Sequence, residues 1–182
     1  VSYVLKQNKI FFVLTTALSD DHEISKWLKK HGDGVSEIAF FSDSVINDYE
    51  YAVNNGASSN NDYIELHDSS GIYKIASVNT YGDVIHTFVD DREYNGIWKP
   101  GYISSVKALD NITTNKTDLL LVDHIVGNVE NNKMNHWVDY YEKSFNFKSF
   151  IEFTEDDIAT KYSALRSKVM KSDNSKIKQH KI

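Results

Sequence analysis

Residues 119–129 have the sequence LLLVDHIVGNV, an apolar run that contains Asp123 and His124 near its centre. A run of this length, rich in Leu, Val and Ile, predicts a strand that is covered on both faces. A buried imidazole needs a partner for each ring nitrogen, so His124 requires an explanation. Two explanations are open. His124 is either a core histidine bonded to a carbonyl group, or a metal ligand whose second nitrogen is held by an acceptor.

The composition is that of a globular protein without thiol chemistry. The chain has 182 residues, no cysteine and a formal net charge of −6. The lack of cysteine excludes disulfides, thiolate metal sites and thiol nucleophiles. No Lys or Arg block is long enough to follow a phosphate backbone, and no apolar stretch is long enough to cross a membrane. We therefore expect no nucleic-acid or membrane partner, and a cytoplasmic location by default.

Strand and helix patterns alternate along the first 90 residues. The strand patterns lie at 1–6, 10–16, 35–41, 63–67, 72–78 and 84–89. One helix is predicted with Ser19 as its cap and Gly32 at its end, and a second runs from Val45 to Val53 before Gly56. The pattern predicts a βαβββ unit. Residues 90–117 hold the only proline and predict a connector.

The second half repeats part of this order. A predicted helix from Met134 to Phe145 follows the strand of His124, and further strands are predicted at 150–153, at 163–170 and from Lys176 onward. Residues 35–39 align with 122–126, so Glu37 and His124 take equivalent strand positions. Equivalent inward-facing polar residues favour a ligand role for His124. Both ends of the chain lie within strand patterns, and we expect them to cut through the fold.

Several motifs resemble the 4-hydroxyphenylpyruvate dioxygenase family. They are HGDGV at 31–35, HTFV at 86–89, DHIVGNV at 123–129 and IATKYSALRSKVM at 158–170. The resemblance implies an α+β vicinal-oxygen-chelate fold of the glyoxalase, bleomycin-resistance and dioxygenase type, in which βαβββ modules form curved mixed sheets or half-barrels. It implies an amino-terminal domain without metal at 1–110, with an incomplete first module. The start of a catalytic carboxy-terminal domain would follow at 111–182, with its barrel truncated.

The resemblance also implies roles for individual residues. His124 would be the first of three Fe(II) ligands, and the other two, a histidine and a glutamate, are expected beyond Ile182. Val126 and Ser163 would line the substrate pocket. Glu37 is interpreted as a relic, because only the carboxy-terminal barrel binds iron in this family, and His180 is expected to be solvent-exposed. Strand alternation predicts that Asp123 points away from the face of His124.

The implied reaction belongs to tyrosine and phenylalanine catabolism. 4-Hydroxyphenylpyruvate, a 2-oxo acid, and dioxygen would give homogentisate and carbon dioxide, with Fe(II) as the only cofactor. We expect the isolated chain to be inactive and the intact protein to be a homo-oligomer. Two alternatives stay open: an enzyme like hydroxymandelate synthase, and a chelate-fold module that binds a ligand or partner without catalysis.

Overall fold

The computed structural model describes residues 1–104, 118–153, 167–172 and 177–178. In these ranges the chain forms strands, three α-helices and one short 3-10 turn. The elements in chain order are β1 (Ser2–Gln7), β2 (Ile10–Thr15), α1 (Glu23–His31), β3 (Glu37–Ser42), α2 (Val45–Asn54), β4 (Ser58–Asp68), β5 (Gly71–Asn79), the 3-10 turn (Tyr81–Asp83), β6 (Ile85–Asp90), α3 (Met134–Phe145), β7 (Phe147–Phe153), β8 (Ser167–Ser172) and β9 (Ile177–Lys178).

A mixed sheet forms the centre of the fold. Its strand order is β4-β5-β6-β3-β9, with β3 parallel to β6 and the other pairs antiparallel. Four of these strands and α2 form one βαβββ module, as the sequence pattern predicted. The hairpin β1-β2 and the pair β7-β8 form two-stranded sheets of their own. The α+β class with mixed sheets is confirmed, and the described strands do not close into a barrel.

The core lies between one face of the mixed sheet and the helices α2 and α3. The register pairs Phe40 of β3 with Phe88 of β6, so both rings point to the same face. Ala52 of α2 and Phe145 of α3 belong to the same buried cluster, and Phe147 of β7 joins it. Burial of these side chains removes apolar surface from water and supplies the main favourable contribution to folding.

The end of α1 agrees with the sequence pattern, whereas its start does not. Gly32 has φ 72° and its N–H donates to the Leu28 carbonyl at 2.8 Å, which confirms it as the end of α1. The predicted cap by Ser19 is wrong. His22 precedes α1, and its Nδ1 accepts from the N–H of Ile24 at 3.2 Å. A ring nitrogen therefore fills the role that a hydroxyl oxygen usually plays.

Gly71 starts β5 at a place where a side chain has no room. Its φ is 127°, and a Cβ there would collide with the backbone oxygen of Glu93. We expect Gly71→Ala to lower the free energy of unfolding by about 3 kcal/mol, because strain and a backbone clash add together. Gly82 is the matched control, since it has φ 61° and a Cβ at this position would meet no atom within 4 Å. Gly82→Ala should lower the free energy of unfolding by only about 1 kcal/mol. Equal losses in urea unfolding would contradict this prediction.

The predicted strand at 119–129 is wrong. The structure assigns no strand to residues 118–130, and the side chains of Leu120 and Val126 are 69% and 74% exposed. A strand is stable only where a neighbour satisfies its backbone groups, and none of the described strands pairs with this segment. The aligned segment 35–39 overlaps β3, which has β6 and β9 on its two sides. The two halves of the proposed repeat therefore differ in backbone structure.

Other predictions fall partly or wholly outside the described residues. β7 begins at Phe147, earlier than predicted. β8 includes residues 167–170 of the strand predicted at 163–170, and residues 163–166 lie outside the described residues. The domain boundary between residues 110 and 111 lies in the range 105–117, outside the described residues, and stays a prediction. The same holds for the positions of Ser163 and His180.

Candidate metal centre at His124

His124 lies in an irregular, exposed segment and contacts its neighbour in the chain. The side chains of His124 and Asp123 are 70% and 87% exposed. The Nδ1 atom of His124 lies 2.7 Å from Oδ2 of Asp123, a distance at which Nδ1–H donates to the carboxylate. The prediction that Asp123 points away from His124 is wrong. Alternation of side chains holds only within a pleated strand, and the backbone here is not one.

Contacts near its start and near its end attach this segment to the rest of the chain. At its start, Nδ2 of Asn8, in the β1-β2 turn, donates to the carbonyl of Leu119 at 2.5 Å. Further along, Gly127 lies directly against the ring of Tyr81, so that a side chain at Gly127 would collide with the phenol. Tyr81 in turn packs edge-on against Trp137 of α3, with ring centroids 5.4 Å apart. Glycine at position 127 thus permits the close approach that holds the segment beside α3.

His124 has the donor chemistry of one Fe(II) ligand. A neutral imidazole whose Nδ1–H is held by a carboxylate presents the lone pair of Nε2 to a metal ion, and metal-bound histidines commonly have such a partner. A site for Fe(II) of this kind needs two histidines and a carboxylate. Within the described residues, no group of three His, Asp or Glu side chains is arranged to hold a metal ion. His124 therefore fits iron as a single ligand.

The structure describes only some of the other predicted site residues. Ser163 lies outside the described residues, and Val126 is a largely exposed side chain two positions after His124. Glu37, at the start of β3, accepts a hydrogen bond from Oγ1 of the buried Thr87 at 2.5 Å. That bond gives Glu37 a structural role within the mixed sheet, which agrees with its interpretation as a relic.

His86 is a buried histidine on β6. It is 1% exposed and lies among the rings of Phe40 and Phe145, with centroid distances of 5.0 and 5.4 Å. Its Nδ1 lies 3.2 Å from the carbonyl of Ile85, and its Nε2 lies 2.7 Å from the hydroxyl of Tyr141. A neutral ring satisfies both contacts, with Nδ1–H donating and Nε2 accepting from the phenol. His86 is thus a satisfied core histidine.

Burial sets the charge state of His86 and its neighbours. Loss of hydration lowers the pKa of His86 to about 4, and the bond to the Ile85 carbonyl offsets only part of that effect. Burial also raises the pKa values of Tyr140 and Tyr141, so both phenols stay protonated. The Tyr140 hydroxyl donates to the Asn79 carbonyl at 2.9 Å. These neutral hydrogen bonds fix α3 on the mixed sheet.

Two sequence patterns, taken together, could have predicted that His86 is buried. In β6, His86 alternates with Phe88, which marks the core face of a strand. Tyr141 belongs to the apolar stripe of α3 and carries a hydroxyl that must find a partner when buried. The sequence shows both residues but not that they meet, because they are separated by 55 positions.

The comparisons with known proteins agree on one relationship. No family model matches the chain. The chain is 34% identical over 97% of its length to 4-hydroxyphenylpyruvate dioxygenase of Aspergillus fumigatus, and covers 48% of that protein. It is 36% identical to the Dictyostelium discoideum protein of the same name, again over 97% of the chain and 49% of the relative. The chain spans about half the length of the curated relatives it matches.

A solved structure supports the fold. A triple mutant of 4-hydroxymandelate synthase from Streptomyces coelicolor superposes with a TM-score of 0.77 at 22% identity. The match covers 94% of this chain and 47% of that one. Its vicinal-oxygen-chelate fold is therefore the fold of this chain. Among the described residues, no helix is both long enough and apolar enough to cross a membrane. Over nearly all of its length, the chain is therefore similar to about half of each of these 4-hydroxyphenylpyruvate dioxygenases.

Proposed function

We propose that this chain is part of a 4-hydroxyphenylpyruvate dioxygenase that converts 4-hydroxyphenylpyruvate and dioxygen to homogentisate and carbon dioxide. The observation that carries the proposal is the identity of 33–36% to enzymes of that name from fungi, an amoeba and a nematode, each aligned over 97% of the chain. The likeness to the structural neighbour, at 22% identity, supports the fold alone, because one fold can host many functions.

His124 is the residue that we assign to the metal. Its Nε2 would hold Fe(II), while Asp123 holds Nδ1–H at 2.7 Å. When bound, Fe(II) would supply the activation of dioxygen that the reaction requires. Val126 and Ser163 would contact the substrate, and their support is the motif resemblance. The remaining protein groups would position the 2-oxo acid and keep water from the site.

The domain division, the location and the oligomeric state belong to the same proposal. The domain without metal would occupy residues 1–110, and the catalytic domain would begin at residue 111. The active protein would be a cytoplasmic homo-oligomer. Cell fractionation and light scattering of the purified protein test location and assembly independently of catalysis.

The product of the reaction is the direct test. Two proteins should be compared: the product of the full reading frame that encodes this sequence, and the 182-residue chain. Each should be purified without oxygen, loaded with Fe(II) and given 4-hydroxyphenylpyruvate and dioxygen. We expect homogentisate from the full reading frame. We expect none from the 182-residue chain, since its described residues supply one ligand where the site needs three. Formation of 4-hydroxymandelate instead would favour the synthase, and the absence of oxygen uptake would favour a non-catalytic module.

Substitution at His124 tests its place in that reaction. In the product of the full reading frame, His124→Ala should reduce homogentisate formation to background and lower the iron content, because a metal ligand is lost. Glu37→Gln is the control: it keeps an oxygen that can accept from Thr87, and should retain iron and activity. Unchanged activity in His124→Ala would refute the ligand assignment.

A further inference from the structure

We propose that Asp123 is a positioning residue that keeps the proton of His124 on Nδ1 and so leaves Nε2 open to a divalent metal ion. This inference rests on the proposed function, in which His124 is an iron ligand. It adds a role for Asp123, which the strand pattern had directed to the opposite face.

The His124 contact differs from the other histidine–carboxylate contacts in the described part of the chain. His31 approaches Asp83 through Nε2 at 2.8 Å, and His67 approaches Glu65 through Nε2 at 3.4 Å. His124 approaches Asp123 through Nδ1 at 2.7 Å. In the two other pairs the carboxylate therefore faces the nitrogen that would otherwise be the more accessible ligand atom. Among these three pairs, the carboxylate takes the inner nitrogen at His124 alone.

The position of the proton decides which nitrogen can bind a metal. A neutral imidazole carries one N–H, and the other nitrogen holds the lone pair that a metal ion needs. A carboxylate at Nδ1 stabilises the form with its proton on Nδ1, and it also increases the basicity of Nε2. Because Asp123 and His124 are adjacent, the contact requires only the local backbone conformation.

We expect the loss of Asp123 to lower the metal affinity only moderately, because the side chains of Asp123 and His124 are exposed. Exposed charge pairs contribute little, since water screens them. Loss of a partner that orients a metal-bound histidine typically costs 10- to 100-fold in metal affinity, and we expect about tenfold here, at the lower end of that range. The same loss should shift the proton of His124 from Nδ1 towards Nε2.

Nitrogen NMR of the metal-free 182-residue chain measures the proton position directly. Long-range proton–nitrogen correlations distinguish the two ring forms of a neutral histidine. We expect the Nδ1–H form for His124 in the unsubstituted chain and a shift towards the Nε2–H form in Asp123→Ala. His67 in the same spectra is the internal reference and should show the Nε2–H form in both proteins. The same ring form of His124 in both proteins would overturn the inference.

A Ni²⁺ titration separates the inference from the proposed function. Binding is followed through the ring signals of His124 in the unsubstituted chain, Asp123→Ala, Asp123→Asn and Glu65→Ala. We expect about tenfold weaker binding only in Asp123→Ala, because Asn retains an oxygen that can accept from Nδ1–H. Equal affinity in all four proteins would overturn the role of Asp123 alone. A His124 ring that does not respond to Ni²⁺ in the unsubstituted chain would overturn the ligand role itself.

Discussion

Phe145→Ala should lower the free energy of unfolding by about 4 kcal/mol, the largest loss that we expect from a single substitution in this chain. Phe145 lies near the end of α3 and is 3% exposed. Its ring stacks on Phe88 of β6 with centroids 5.6 Å apart and lies 6.0 Å from the ring of Phe40. Removal of the ring loses buried apolar contact and leaves a cavity between a helix and a sheet that cannot easily close.

Phe150→Ala is the matched control for this prediction. Phe150 is on β7, close in sequence to Phe145, but its side chain is 56% exposed. The ammonium group of Lys171 lies over its ring, 4.2 Å from the centroid. We expect Phe150→Ala to lower the free energy of unfolding by about 1 kcal/mol or less. Urea unfolding of both variants at one pH gives the comparison.

A conservative variant covers the case in which Phe145→Ala does not fold. Phe145→Leu keeps most of the apolar volume and should lose about 1.5 kcal/mol or less. The order of stability should therefore be unsubstituted chain, Phe145→Leu and Phe145→Ala. A Phe145→Ala variant as stable as Phe150→Ala would contradict the packing of α3 on the mixed sheet.

His86 should make the fold sensitive to acid. Its pKa falls from 6.5 to about 4 in the folded chain, because burial disfavours the charged ring. In the unfolded chain the imidazole takes up a proton once the pH drops below 6.5, whereas the folded chain takes it up only near pH 4. Protonation therefore favours the unfolded state throughout this interval.

The change in the free energy of unfolding with pH follows from this difference in the pKa of His86. The stabilisation is fully present above pH 6.5 and is lost progressively as the pH falls towards 4. Each pH unit in the interval costs about 1.4 kcal/mol, so the total is about 3 kcal/mol. Urea unfolding at a series of pH values from about 7 to about 4 measures it.

His86→Gln isolates this contribution from the other titrating groups. Glutamine has an oxygen that can accept from the Tyr141 hydroxyl, but it has no ionisation in this range. Carboxylates such as Asp90, whose pKa is lowered by Arg92, lose stabilising charge in acid in both proteins. The unsubstituted chain should therefore lose about 2 kcal/mol more than His86→Gln between pH 6.5 and about pH 5. Parallel losses would show that His86 is not buried as a neutral ring.

Predictions from sequence held where neighbouring residues decide the structure. Strands β1 and β2 form at the predicted patterns 1–6 and 10–16. They pair across a turn at Asn8, which has φ 51°, a conformation that Asn adopts readily. α1 ends at Gly32, which has φ 72°. The order of strands and helix from β3 to β6 follows the predicted module, and the mixed sheet is the result.

Predictions failed where the structure depends on a distant partner. The apolar run at 119–129 has the composition of a covered strand, yet it lacks a described strand beside it and is largely exposed. With no pleat there, Asp123 contacts His124 instead of pointing away. The composition of a segment indicates the secondary structure that it favours, and pairing with another strand decides whether a strand forms.

The sequence by itself determined the resemblance of this chain to 4-hydroxyphenylpyruvate dioxygenases, the βαβββ order of its central module and the end of α1 at Gly32. Only the tertiary structure decided that His86 is buried against Tyr141, that α3 completes the core and that Asp123 meets the inner nitrogen of His124. The physical reason is the separation along the chain of the groups that decide each feature. Turns and helix ends depend on torsion preferences of a few adjacent residues, whereas burial and charge state depend on groups that only folding brings together.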